Sequence, residues 1–250
     1  MRKVYSTLLS LVTVAAIVLG LFIHNGGFRP VFNLTFGNDE VVDQDFDIDP
    51  GVKKIDMDAS LMDITIKEGD KFAAEYHGSK KLLPTFSFDS GDGKLKIKQE
   101  KVNSKKINVN KDNKMTITIP KGTKFEDFDL DLNLGTITIK ELSALEVDIT
   151  DNLGDVKLGT VSAEKIDVDA NLGNVEIESC NAEKIDISAS MGNVEITMAE
   201  GRVLDEYEIE AETSLGNVTV GNESKTKSFK QKGKAGKIDI DCSMGDVTIK

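Results

Sequence analysis

Carboxylates recur along this chain at a fixed spacing and are its densest supply of chemically capable side chains. Counted back from Gly135, Gly154, Gly173, Gly192, Gly216 and Gly245, with Met62 in the equivalent place of a first unit, position −6 is acidic in all seven units: Asp56, Asp129, Asp148, Asp167, Asp186, Glu210 and Asp239. Position −4 adds Asp58, Asp131, Asp169, Glu212 and Asp241. Two chemistries use such oxygens. A divalent cation would take a column such as Asp148, Asp167 and Asp186, but Ca²⁺ wants about six to eight converging oxygens, and the Gly-Gly-x-Gly-x-Asp nonapeptide of calcium β-rolls is absent. A glycosidase needs one defined carboxyl pair, whereas here every repeat supplies one. The expected role is a solvated acidic face, its repulsion relieved by neighbours such as Lys165 and Lys184.

Nothing else in the sequence assembles a catalytic set. The two histidines, His24 and His77, have no partner at a recognisable spacing. No nucleophile elbow, zinc motif, phosphate loop or dinucleotide fingerprint occurs. We therefore expect no catalytic residue, no resident metal and no cofactor. A net charge of −12 also argues against nucleic acid as a partner.

The carboxylates belong to a repeated unit, as in KIDVDANLGNVEI from Lys165 and KIDISASMGNVEI from Lys184. The glycines Gly135, Gly154, Gly173 and Gly192 stand 19 residues apart, and the gaps to Gly216 and Gly245 widen to 24 and 29. A fixed period of this kind implies stacked units, none of which buries its apolar face alone. Apolar or small residues fall at −7, −5, −3 and −1, again at +2 and +4, and again at +7 and +9. Each jump from one group to the next breaks the alternation by one residue, which inward parity survives only if the chain turns a corner. Three breaks imply three corners. At ~3.3 Å per residue the coil perimeter is roughly 60 Å, suited to a three-sided β-solenoid with coils ~4.8 Å apart.

The competing architecture makes each unit an antiparallel hairpin with Asn-Leu-Gly at its tip. The repeat residues decide between them. Leu61, Leu134, Leu153, Leu172, Leu215, Met191 and Met244 fill position −1, and uniform apolarity predicts a buried column rather than an exposed tip. Asp in place of Leu172 is then expected to be severely destabilising. The following glycine suits a corner needing positive φ, and Met62 predicts a different first corner. Asn133, Asn152 and Asn171 at −2, continued by Ser190, Ser214 and Ser243, predict a hydrogen-bonded ladder between coils. Cys180 at +7 and Cys242 at −3 fall on different faces and some three coils apart in sequence order. Both read as free, small core residues.

Outside the repeats, the uncharged run from Val4 to Ile23 follows Met1, Arg2 and Lys3 and is about long enough to cross a bilayer. The basic flank places residues 1–3 in the cytoplasm. Retention as a signal-anchor is expected, with cleavage near Leu21 as the alternative. Residues 24–40 form a linker, and 41–250 an extracytoplasmic β-repeat domain whose solenoid repeats lie mainly in 125–250. Between Phe72 and Pro120, strand-like runs joined by turns predict antiparallel hairpins near the N-terminal end of the solenoid. Insertions around Glu200–Tyr207 and Gly221–Gly236 should bulge from the coils. The second carries Lys225, Lys227, Lys230, Lys232 and Lys234 around Phe229 and is expected to be a solvated hairpin with Phe229 packed back on the coil, the alternative being a basic finger that touches anionic envelope polymer or lipid headgroups. The last unit ends in Val247–Ile249, expected to be an open edge available for self-association.

The Leu-Gly-Asn/Asp-Val-x-Ile units, the run MTITIPKG from Met115 to Gly122 and the N-terminal anchor together resemble the bacterial adhesin-like repeat family known as domain of unknown function 4097. The resemblance covers roughly Ile48 to Lys250, with Met62 and the two insertions as departures. It implies a surface-exposed β-solenoid with no catalytic residues to carry over. Similar proteins accompany envelope-stress signalling systems. The expected function is accordingly a membrane-anchored, non-catalytic binding or adhesion module whose partner is an envelope protein or polymer. The alternative is an accessory partner of membrane-embedded stress sensors.

Overall fold

Period-two patterning in this chain is written mainly in β-branched residues, which fit a pleated, half-buried surface. A computed structural model shows the result and describes residues 40–99 and 112–250. The expected membrane segment 4–23, residues 1–3 and the linker up to residue 39 lie outside the described residues. The fold is all-β. Apart from single 3-10 turns at Lys80–Leu82 and Leu204–Glu206, the described residues hold strands that join into one 16-stranded sheet.

The regular part is built from β8 (Phe125–Leu132), β9 (Ile137–Asp151), β10 (Val156–Leu172), β11 (Val175–Met191) and β12 (Val194–Met198). Neighbours pair in parallel at an offset of one repeat, so that Val156 faces Val175, Asp167 faces Asp186 and Ala170 faces Ala189. Like therefore sits on like. Val156, Leu158, Val161, Ile166, Val168 and Ala170 of β10 are all buried and continue into the same positions above and below. Each aliphatic side chain so buried contributes about 1.5–3 kcal/mol.

Chain order and stacking order differ at both ends. Near the N-terminus, β2 (Lys54–Ala59) and β3 (Asp63–Gly69) pair in parallel with β8 and β9 on one side. On the other side they pair with β6 (Lys94–Lys98) and β7 (Lys114–Pro120). Antiparallel strands finish this end. β5 (Thr85–Asp89) lies on β6, β4 (Ala73–Ser79) on β7, and β1 (Val41–Asp47) on β4. At the far end, β15 (Lys237–Met244) and β16 (Val247–Ile249) slot between β11/β12 and β13 (Glu208–Val220), although β13 precedes them in the chain. β14 (Glu223–Gln231) then lies antiparallel on β13.

This order corrects two expectations and bears out a third. Val247–Ile249 is no open edge, because β16 has β12 on one side and β13 on the other; self-association through that strand is ruled out by its saturated hydrogen bonding. Gly221–Gly236 is the expected solvated hairpin, paired with β13, and not a free basic finger. Most of it is β14, with Phe229 buried against the end of the stack. Cys180 and Cys242 are both free and buried, yet not three coils apart: Cys242 lies in register with Ala189, in the same strand as Cys180. Their separation comes from lying on different faces of the coil, not from axial distance.

Candidate binding face

The segment that ends at each repeat glycine forms one continuous outer face, and its columns can be followed residue by residue. The acidic column at −6 is unbroken. Asp56 pairs in register with Asp129, then follow Asp148, Asp167, Asp186, Asp239 and Glu210, the last two in stacking order rather than chain order. Carboxylates on adjacent parallel strands lie ~4.8 Å apart, where repulsion is about 1 kcal/mol in water and several times that near a low-dielectric wall.

Relief is uneven along the column. Lysines two residues upstream meet three of the carboxylates, at 3.1 Å for Lys165–Asp167, 3.9 Å for Lys184–Asp186 and 2.7 Å for Lys237–Asp239. Lys230 of β14 bridges Glu210 and Glu212. At Asp56, burial works to raise the pKa, but Lys94 and Lys96 outweigh it and hold the carboxyl below its ordinary value. Asp129 and Asp148 lack a lysine two residues upstream, where Asp127 and Glu146 stand, although Lys165 of the next coil partly offsets the effect at Asp148. Burial pushes both carboxyls up, and the neighbours Asp131 and Asp167 add to the effect. Among the described residues, no three acidic, histidine or cysteine side chains converge as a set able to hold a metal ion. Asp148, Asp167 and Asp186 form a row rather than a cage.

The apolar column at −1 borders this acid, and here the structure overturns the expected burial. Leu134, Leu153, Leu215 and Met244 are 42%, 46%, 67% and 37% exposed, and Leu61, Leu172 and Met191 are half-buried. The inward series stops at −3, in Ala170 and Ala189, and resumes at +2, in Val175 and Val194. The chain has therefore begun its corner before −1. Uniform apolarity there reflects coil-to-coil stacking on the outside, Leu172 on Met191 and Met191 on Met244, with Leu215 at the far end. The expected cost of charge at this position falls accordingly. Leu172→Asp should lower stability by about 1 kcal/mol, whereas Val168→Asp, which puts a charge inside the stack, should prevent folding. Urea denaturation of the two variants distinguishes these outcomes.

Two polar ladders fix the corner. At −2, Asn152 Nδ2 donates to Asn133 Oδ1 at 3.1 Å and Asn171 Nδ2 to Asn152 Oδ1 at 2.8 Å, as the repeat predicts; Ser190 Oγ follows at 3.5 Å. A second ladder at +1 was not foreseen. The side-chain oxygens of Asp155, Asn174, Asn193 and Asp246 each accept the backbone N–H of the same position one coil on, at 2.8–2.9 Å. Its signal is the Asn or Asp after every repeat glycine except Gly135, which Thr136 follows. The glycines themselves stack, and a Cβ on Gly173 would lie 1.6 Å from the carbonyl oxygen of Gly154. Backbone proximity thus demands glycine, in addition to φ of +144° to +157° at Gly135, Gly173, Gly192, Gly216 and Gly245.

At the first corner Met62 is buried, and Gln99 takes over: its Oε1 accepts from Ser60 N and Leu61 N, both at 2.8 Å. At −3 inside the stack two residues are polar, Thr213, whose hydroxyl donates to Gly245 O at 2.9 Å, and the charged Asp151. Asp151 is 1% exposed at −3, where its register neighbour is Ala170. Its Oδ1 accepts from Leu153 N at 3.2 Å, Oδ2 has no partner among the described residues, and burial pushes the carboxyl up to about 6.

One concavity interrupts the face. Between the pairs Glu212–Ser228 and Asn217–Thr226, β13 spends four residues on its corner and β14 spends only Lys227. β14 therefore cuts the corner, with Lys227 at φ +74°. The chord leaves an open groove of about 590 Å³ lined by Lys227, Ser228, Glu212, Ser214, Asp241 and Ser243, among others.

Against known proteins, the family model described as Toastrack DUF4097 matches residues 52–250. A search of curated proteins gives no match. Among solved structures, the chain is similar to a candidate cell adhesion protein from Clostridium sporogenes ATCC 15579, at 18% identity and a TM-score of 0.52 over 84% of this chain and 99% of that one. A candidate adhesin from Bacteroides fragilis NCTC 9343 matches at 14% identity and a TM-score of 0.38, covering 84% and 97%. Another from Parabacteroides merdae ATCC 43184 matches at 13% identity and a TM-score of 0.36, covering 86% and 98%. At such identities the first of these likenesses bears on the fold alone.

Proposed function

The chain belongs to the toastrack DUF4097 family, and on that premise we propose that it is a non-catalytic binding module of the cell envelope, a three-sided solenoid held at the membrane by residues 4–23 with its β domain outside the cytoplasm. A solved protein of similar fold bears the name of a candidate cell adhesion protein. The observation that carries the reading is the exposed leucine and methionine column beside an unbroken acidic one. An apolar row that the fold does not bury, rimmed by charge, is what a contact surface requires. Its ~4.8 Å repeat suits an extended polymer or peptide that can meet many coils at once, so that weak contacts add.

The apolar half of the face also favours a second reading, contact with a membrane-embedded stress sensor, because leucine and methionine anchor protein interfaces better than they anchor polysaccharide. One set of variants separates these readings. The triple change Leu134→Ser, Leu153→Ser and Leu215→Ser is expected to abolish retention of the full chain on isolated cell-wall polymer while moving Tm by no more than about 5 °C, since all three side chains are largely outside the core. Undiminished retention removes the face from the account. Lost association with envelope proteins, without any wall binding in the parent chain, selects the sensor reading. A membrane-impermeant maleimide added to intact cells should label a Thr226→Cys variant at that exposed position; labelling only after the cells are permeabilised would place the domain inside.

A further inference from the structure

Among the described residues the sheet has three edge strands, β1, β5 and β14, and two of them, β1 and β14, carry opposite charge. β1 and β14 terminate the strand order, and among the described residues each hydrogen-bonds to a single neighbour, β1 to β4 and β14 to β13. Among the described residues each leaves a row of backbone donors and acceptors unpaired, a template for another strand. On β1, Asp43, Asp45 and Asp47 alternate and so share one face, with Glu40 and Asp49 flanking and no lysine or arginine from residue 40 to 52. The segment 221–236 holds five lysines against the single Glu223, in a chain whose net charge is −12.

Part of this charge is used internally. Lys230 is bound to Glu210 and Glu212, Asp43 lies 2.6 Å from His77 Nδ1, and Lys225 pairs with Glu223 at 3.5 Å while covering the Phe229 ring at 4.3 Å. Lys227, Lys232 and Lys234 at one end, and Asp45 and Asp47 at the other, stand outside every salt bridge among the described residues.

We propose that copies of this chain associate head to tail, the β14 end of one against the β1 end of the next. Lysines and a bulge on an edge strand ordinarily discourage pairing, and here they do so selectively. Two β14 edges repel through their lysines and two β1 edges through their aspartates, so the self-complementary contacts of a two-fold dimer are disfavoured. The mixed contact brings opposite charges together and adds backbone hydrogen bonds. Such a heterologous contact does not close on itself and yields an open array. Its repeating surface would be the ladder face, extended from one molecule into the next. The inference rests on the edges and their charge and is independent of what the ladder face binds.

Cysteines placed at the two ends test it directly in the full chain, in native membranes and in detergent. With a short bis-maleimide, Asp45→Cys combined with Thr226→Cys should give a ladder of dimers, trimers and higher species. Neither single variant should exceed the background of the parent chain, whose Cys180 and Cys242 are buried. Mixing the two single variants should give dimers only. The ladder should fade in salt of about 1 M, where the screening length is ~3 Å. Dimers from one single variant alone would show a two-fold contact and overturn the proposal, as would monomers throughout. Charge reversal guards against a cysteine variant that misfolds. Lys227→Glu, Lys232→Glu and Lys234→Glu together should stop assembly, and adding Asp45→Lys and Asp47→Lys to that same chain should restore the ladder; absence of that rescue in variants with unchanged circular dichroism also counts against it.

Discussion

Gly173→Ala is expected to cost about 4 kcal/mol or more and, in a domain of ordinary stability, to leave little folded protein. The added Cβ would lie 1.6 Å from Gly154 O, and the backbone there sits at φ +146°. Neither obstacle yields locally. The carbonyl belongs to a coil held by the Asn ladder at −2 and the Asp/Asn ladder at +1, so relief means prising coils apart along the column. Gly122→Ala is the control. Gly122 has φ +74° but nothing within 4 Å of its missing Cβ, so only the conformational penalty of about 1 kcal/mol remains. Urea midpoints for the two variants should differ widely. Similar small losses in both would mean that the coils do not approach as closely as the glycine column requires.

Asp151→Ala should act in the opposite direction and stabilise the domain at neutral pH. The wild-type carboxyl titrates at about 6 in the folded chain and near its ordinary value of 3.8 when unfolded. Because the folded pKa is raised, the unfolded chain holds fewer protons between these values, and ionisation costs folding free energy as pH rises through 6. The penalty is fully present above about pH 7, amounts to about 3 kcal/mol, and is gone below about pH 4, where both states are protonated. Alanine already occupies the adjacent coil at Ala170 and fits the site. The variant should therefore exceed wild type by about 3 kcal/mol at pH 7.5 and converge on it near pH 4. A variant no more stable than wild type at pH 7.5 would show that Asp151 has a compensating partner.

Much of the repeat was legible because stacking makes sequence periodicity and spatial register the same thing. The 19-residue spacing of Gly154, Gly173 and Gly192 becomes the pairing of Val156 with Val175 and Val175 with Val194. Inward positions such as Ile166, Val168, Val175 and Ile177 were readable for the same reason, as was the Asn133–Asn152–Asn171 ladder. The column at −1 was misread, since identical apolar residues are equally satisfied inside a coil or stacked outside its corner; only the backbone's turn before Leu172 separates the two cases. Stacking order was illegible where the repeat length changes. The gaps of 24 and 29 residues ahead of Gly216 and Gly245 signalled insertions but not that β15 and β16 return between β12 and β13. Gln99, which holds the first corner, lies outside the repeat and had no periodic signal at all.

The central claim is that the column of exposed leucines and methionines, with the acid beside it, is the surface that meets the partner. A photo-crosslinking residue placed at Leu153 in intact cells probes that column, and the same residue at Glu176 probes an exposed position beyond the corner. Irradiation should attach wall polymer or an envelope protein at position 153 and leave position 176 unlabelled. Equal labelling at both positions, or labelling at 176 alone, would contradict the account.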